Sequence, residues 1–501
     1  MSGHLVAELR DAGDVGARGG GPTRARRIGI LLICCMSLFI VGIDSTIVNV
    51  ALPSIGRELH ASVSGLQWTV DAYTLVLASL FMLSGSTADR LGRRKVFQSG
   101  LILFTCGSLA CSLAPGLTWL VVFRMLQAVG GSMLNPVAMS IIRNTFEEPR
   151  ERAQAIGIWG AVIGVSMALG PLLGGVLVQG MGWRSIFWVN IPIGLTAVVL
   201  AACYVPESRA PRGRRLDPVG QVLVIVMLAS LTYGIIEGPR RSWSSGLILT
   251  LFAVAALSLV VLVRYEGRRR EPLVEVRFFR SVPFSGATVI AAAAFVGLGG
   301  FLFLNTLYLQ DVRHLSALGA GIDTLPMAGA TVLMSPISGR LVGRVGSRPS
   351  LMLAGVGLGT GSLLLTGLTP TTSFSRLFIA YVVFGIGFGA VNAPITNTAV
   401  SEMPGAQAGV ASAVASTSRQ IGQSLGVAVV GAIAASGLAG AVSRHFALAT
   451  HAGWWLLVGC GALVVFLGAV TTTDWALGTA RRVRQSYEEE SRERASSFMV
   501  A

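Results

Sequence analysis

The sequence predicts an all-α polytopic membrane protein. Three observations predict it. Hydrophobic residues make up 52% of the 501 positions and charged residues only 13%, too few charges to cover a soluble chain of this length. Apolar runs of about 20 residues, the length of a bilayer-spanning helix, recur from Ile28 to Thr472. Basic residues gather in the short stretches between those runs, where they set orientation.

Taken in order, the spans fall at 28–52, 66–88, 96–114, 118–142, 154–178, 184–205, 217–236, 245–265, 284–309, 322–343, 350–368, 376–401, 409–438 and 453–472. Fourteen spans place both termini on one side. With the N-terminus inside, the inner segments carry about 30 of the 39 Lys and Arg, and the outer loops about seven. The net charge of +15 is therefore read as membrane orientation and not as nucleic-acid binding. Residues 1–27, rich in Gly and Arg, read as a cytoplasmic tail, and 473–501 as a second one. The first run is too long for a signal-peptide core and is kept as a true span. The six cysteines all fall in apolar runs with no CxxC pair, so no disulfide framework is expected.

Spans seven and eight lack the Gly-rich, polar patterning of the others and are flanked by longer basic stretches at 206–216 and 266–283. The expected division is a six-helix bundle at 28–205, an inserted two-helix segment at 206–283, and a second six-helix bundle at 284–472. An internal echo supports it. "GSTADRLGRRK" (85–95) and "GRLVGRVGSRP" (339–349) match at Gly85/Gly339, Arg90/Arg344, Gly92/Gly346 and Arg94/Arg348. Repeated halves are the mark of a secondary transporter.

At this echo the chain resembles the major facilitator superfamily. "GSTADRLGRRK" is similar to that family's motif A, with Gly85, Asp89, Arg90, Gly92, Arg93 and Arg94 in place. The resemblance implies that Asp89 helps hold an inner gate closed. The second copy has Gly343 where the acid would stand, which predicts a lopsided latch. "RMLQAVGGS" (124–132) resembles motif B, in which the arginine, here Arg124, is tied to proton coupling. "GAVIGVSMALGPLLGG" (160–175) resembles motif C, the antiporter motif. There Gly160/Gly164 and Gly170/Gly174 permit close helix contact, Pro171 bends the helix, and Gly175 completes the ending. "IDSTIVNVALPSI" (43–55) is similar to the helix-one motif LDxTxVNxALPxI, with Asp44, Thr46, Asn49 and Pro53 matching and Ile43 replacing leucine. That motif, with fourteen spans, resembles the drug:proton antiporters of the EmrB/QacA type. "GWRSIFWVNIPIG" (182–194) and "TSRQIGQSLGVA" (417–428) look like further signatures of that group. The resemblance covers residues 28–472.

Charges inside apolar spans are expensive and mark function. By helical rise, Asp44 lies about 13 Å before Pro53, Asp71 about 7 Å from the outer end and Arg124 about 9 Å from it. The three can share the outer half of one bundle. A carboxylate there gains or loses its proton as water access changes, which is the physics a proton-driven carrier needs. A static Asp–Arg pair holding helices together is the competing reading. Arg419, with Gln420 and Gln423 nearby, is the candidate counterpart in the other half.

The loops are too short for a catalytic domain. "GQSLG" (422–426) has no strand before it, and the five histidines lie in a tail or outer loops, so no nucleophile elbow is expected. "GVGLGTG" (355–361) sits inside a span, without βαβ context. No GxxxxGK[ST] motif exists, and Lys95 is the only lysine, so the chain carries no ATP-binding loop of its own. Neither a metal site nor a cofactor is expected, with the proton gradient as the energy source. The expected function is proton-coupled export of drugs or antibiotics by alternating access, from a monomer in the cytoplasmic membrane. The expected substrate is amphipathic or cationic. Transport of a normal metabolite, or a non-transporting sensor or structural role, are the alternatives. Whether Asp44 carries the proton, meets a cationic substrate, or does both stays open.

Overall fold

The computed structural model describes residues 24–146, 148–209, 217–269, 272–401, 408–437 and 442–500. Among the described residues the chain is helical throughout. The helices are α1 (Arg24–Glu58), α2 (Val63–Leu91), α3 (Arg93–Ser112), α4 (Leu117–Thr145), α5 (Pro149–Met181) and α6 (Ser185–Tyr204, interrupted at Val189). The chain continues with α7 (Pro218–Arg241), α8 (Gly246–Glu266), α9 (Val282–Val312), α10 (Ala317–Val345) and α11 (Ser347–Leu364). It ends with α12 (Phe374–Val400), α13 (Ala408–Gly437), α14 (Val442–Thr471) and α15 (Asp474–Val500). Eleven of the described helices are long and apolar enough to cross a membrane. Of the fourteen expected spans, α3, α11 and α13 fall outside that set. Arg93, Arg94 and Lys95 open α3, α11 carries Arg348 and Pro349 among its serines and glycines, and α13 carries Arg419, Gln420 and Gln423.

The local reasons for these elements are ordinary. Side chains of Ser62, Asp217, Ser245, Ser281, Ser316 and Ser373 cap six helix starts by accepting a backbone N–H, as N-cap residues do. Two reversals fall at Gly92 (φ +115°) and Gly346 (φ +87°), equivalent positions of the internal echo. Their backbone lies where a side chain is strained, so glycine is required there.

Helices α1–α6 pack among themselves, and so do α9–α14. Equivalent helices cross in the same manner in both sets. Gly100 of α3 packs on Gly130 of α4, and Gly357 of α11 on Gly387 of α12. The two sets meet along α2–α13 and α5–α10. The α7–α8 hairpin lies against α2 and α13, joined by Leu75, Ala78, Val224, Leu228 and Leu262 and by a bond from Gln221 Nε2 to the Ser79 carbonyl (2.5 Å). The stretch expected as a C-terminal tail forms α15. Its Ala476 and Ala480 are buried, and Tyr487 lies against Phe278 at 5.9 Å between ring centroids. Of the expected N-terminal tail, α1 already includes Arg24 to Arg27, and residues 1–23 lie outside the described residues.

Candidate functional site

The first set of helices encloses a polar cluster with no exposed atom to spare. Asp44 (α1) is 0% exposed and Arg124 (α4) 1%. Arg124 Nη1 donates to Asp44 Oδ2 at 2.5 Å and to Gln127 Oε1 at 2.9 Å. Gln127 Nε2 donates to Asp44 Oδ1 at 2.8 Å, and Asn190 Nδ2 (α6) donates to the same oxygen at 3.2 Å. Asn190 also reaches Ser108 Oγ (α3) at 3.0 Å, and Ser108 donates to the Phe187 carbonyl. From α2, the Thr69 carbonyl accepts from Arg124 Nε, and the Tyr73 ring lies 4.1 Å under the guanidinium. Five helices thus hold one carboxylate and one guanidinium. A buried ion pair is tolerable only when both its ends are hydrogen-bonded, as these are, and the ring adds a cation–π contact, while the Tyr73 hydroxyl and Asn190 Oδ1 have no hydrogen-bond partner among the described residues.

Sequence reasoning brings Asp44 and Arg124 together and misses the rest. Gln127 was detectable, since it stands three residues after Arg124 on the same helix face. Nothing in the sequence singles out Ser108 or Tyr73, and Asn190 was visible only inside a longer signature.

Asp71 corrects an expectation. It does not join Asp44 and Arg124. It is 0% exposed on the opposite face of α2, beside Ser424 of α13. Thr74 Oγ1 approaches its Oδ1 at 3.5 Å, and its Oδ2 has no hydrogen-bond partner. Helix rise gave its depth correctly, but rise says nothing about facing. Asp71 is therefore an interface carboxyl between the two sets. Arg419 likewise meets no carboxylate among the described residues. Its guanidinium donates to Thr396 Oγ1 (2.7 Å) and Ser416 Oγ (3.3 Å).

The helix-one motif divides between two neighbourhoods. Asp44 enters the cluster, while Thr46 and Asn49 line a small cavity between the sets with Pro171, Asn305, Gln310 and Thr324. Pro53 is buried near the end of α1. In the motif C stretch, Gly170 and Gly174 face α1, and a Cβ at Gly170 would overlap the Thr46 hydroxyl. Gly175 packs on Ala317 and Leu318, the Pro171 carbonyl packs on Gly321, and Gly164 lies near Val332. Helix α5 is thereby sandwiched between α1 and α10. Gly160 belongs to α5, but its surroundings lie outside the described residues.

The motif A loop is held by its own residues and by the stretch that follows α6. Asp89 pairs with Arg93 (2.8 Å), the Arg93 amide donates to the Ser208 carbonyl (2.9 Å), and the Arg94 amide to Glu207 Oε1 (3.2 Å). Gly85 lies near Pro136, and Arg90 is exposed at the end of α2. At the second copy, Gly339 and Gly343 have open space around them.

The profile of the Major Facilitator Superfamily matches residues 34–427. This chain belongs to the major facilitator superfamily. Among relatives, it is 36% identical over 415 residues to the multidrug resistance protein Stp of Mycobacterium tuberculosis, covering 83% of this chain and 77% of that one. It is 36% identical over 418 residues to the tetracenomycin C resistance and export protein of Streptomyces glaucescens, covering 82% and 77%. In fold, this facilitator chain resembles a bacterial homolog of the lysosomal transporter Spinster, with TM-score 0.62, 18% identity, and 92% and 98% of the chains covered. It also resembles a D-xylose–proton symporter, with TM-score 0.64, 14% identity, and 89% and 97% covered. At these identities the structural likeness speaks of the fold.

Proposed function

We propose that the protein is a fourteen-span drug:proton antiporter of the EmrB/QacA type, exporting drugs or antibiotics by alternating access. The observation that carries it is the enclosed Asp44–Arg124 pair, in a chain whose relatives are drug-resistance and export proteins. A carboxylate whose partners come from α4 and α6, inside a cluster built by five helices, changes its proton affinity when those helices move. Protonation of Asp44 would release Arg124 and so couple a proton to rearrangement of the bundle. Asp71 is a second carboxyl, placed where the two halves would slide.

Three helices below the apolar threshold still fit fourteen spans. Each of α3, α11 and α13 runs between two helices that are long and apolar enough, and in this reading would return the chain from one face to the other. The end where α1 begins carries the basic clusters and would face the cytoplasm, with α15 on the same side. In the state described here the halves join toward the far face, through Gln67, Gln310 and the packing of Gly175 and Pro171 on α10. Among the hydrogen bonds described above the motif A loop bonds to itself and to the linker after α6 and not to α9–α14, as expected of an unlatched cytoplasmic gate. Two six-helix bundles with the α7–α8 pair inserted would work as a monomer. The carrier would need no cofactor, no metal and no catalytic chemistry.

The test is flux in everted membrane vesicles under an imposed pH gradient, with ethidium and a panel of antibiotics. Uptake that collapses with an uncoupler and is lost in Asp44→Asn at normal expression is expected. Gradient-independent flux, or none for any compound, would overturn the reading.

A further inference from the structure

Two buried amides cross between the halves, one in each direction. Gln67 of α2 is 0% exposed, and its Nε2 donates to the carbonyls of Ala428 (2.8 Å) and Val427 (3.3 Å) on α13. Gln310 of α9 is 4% exposed, and its Nε2 donates to the Val50 carbonyl on α1 (2.8 Å). Each side chain leaves its own half and binds the backbone of the other. Both lie toward the face away from the start of α1. Local geometry is fitted to each. Gly431 packs flat on the Gln67 amide, and a Cβ there would meet Gln67 Nε2 and Cδ at 2.5 Å. Gln310 stands in a π turn, Tyr308–Val312, at the end of α9. Such a turn shifts the angular position of the residues it carries and is frequent at functional sites.

We propose that Gln67 and Gln310 are reciprocal latches that hold the far face of the transporter closed. The proposal rests on the alternating-access reading given above. Amides suit the task. They are neutral, so they hold at every pH and leave proton sensing to the carboxyls. Their acceptors are helix carbonyls that keep their own helical bonds when the latch lets go, so opening strands no acceptor. The ion pair nearby, Arg57–Asp311 at 3.7 Å, is exposed on the arginine side, and an exposed pair of this kind contributes little. Neither glutamine belongs to the motifs that the sequence brings forward.

The experiment measures the distance between nitroxides at Leu113→Cys and Thr371→Cys by double electron–electron resonance, with the six native cysteines replaced by alanine. Leu113 and Thr371 are exposed on the far face, one in each half. Gln67→Met and Gln310→Met keep length and helix preference and lose the donor. Each is expected to shift the closed-to-open ratio about five-fold toward the long distance, the effect of one ordinary hydrogen bond. The double variant is expected to combine both shifts. Gly431→Ala, which leaves both amides in place, is expected to act like Gln67→Met by pushing that side chain off its carbonyls. Thermal unfolding checks that each variant is folded. Wild-type distance populations in the folded double variant would overturn the latches. A wild type fixed at one distance from pH 5 to pH 8, with and without ethidium, would instead count against alternating access.

Discussion

The two halves place a buried polar pair at the same point and build it from different chemistry. In the first half, α1 and α4 supply Asp44 and Arg124. In the second, α9 and α12 supply Asn305 and Tyr381, whose hydroxyl donates to Asn305 Oδ1. Arg124 and Tyr381 stand at the same step of equivalent helices, each seven residues past its start (117 to 124, 374 to 381). Asn305 is 1% exposed and Tyr381 0%, so both pairs are enclosed. The charged pair needs Gln127, Asn190, Thr69 and Tyr73 around it, whereas the neutral pair needs far less. On the proposed function, the half that would bind and release a proton keeps the costly pair, and the other half settles for a cheap one.

Breaking the charged pair on one side should have the largest effect. Arg124→Ala leaves the Asp44 carboxylate enclosed without its cation and is expected to lose about 3–5 kcal/mol, read as a drop in thermal unfolding temperature in detergent. Transport should be abolished with it. Giving the first half the neutral chemistry of the second sharpens the contrast. Asp44→Asn with Arg124→Tyr should restore most of that stability while gradient-driven flux stays absent. A double variant that still exports would remove the proton from this pair.

The same logic predicts a smaller loss in the other half. Tyr381→Phe leaves the Asn305 amide oxygen short of a donor and should lose about 1–2 kcal/mol, with gradient-driven export retained. If export vanished instead, the second pair would not be merely structural. The smallest effect on stability is expected at Asp71→Asn. No cation is orphaned there, and a neutral amide replaces an enclosed carboxyl whose Oδ2 has no hydrogen-bond partner, so thermal unfolding should not move to lower temperature. Its signature should be kinetic, a changed dependence of export rate on the imposed pH gradient.

The ion pair at the centre of the candidate site was legible in the sequence, and the residues around it were not. Asp44 and Arg124 stand out because charge in an apolar span is rare, and helix rise alone placed them at similar depth. Facing was not legible. Asp71 has the right depth but sits one helix face away from the pair, against Ser424. Arg419 looked like a counterpart to Arg124, yet it bonds hydroxyls of Thr396 and Ser416. Gln67 and Gln310 gave no signal, since a single glutamine in a span looks like any polar core residue.

The sequence by itself determined the class of the molecule, its repeated halves and the family to which it belongs. Those rest on apolar run length, charge between runs and short ordered motifs, all of which are local along the chain. Only the tertiary structure decided which buried carboxyl meets the arginine, which faces the other half, and which amides cross between them. Those depend on the rotation of each helix about its axis. That rotation is set by packing against three or four neighbours distant in sequence, such as Gly170 on Thr46 or Gly431 on Gln67.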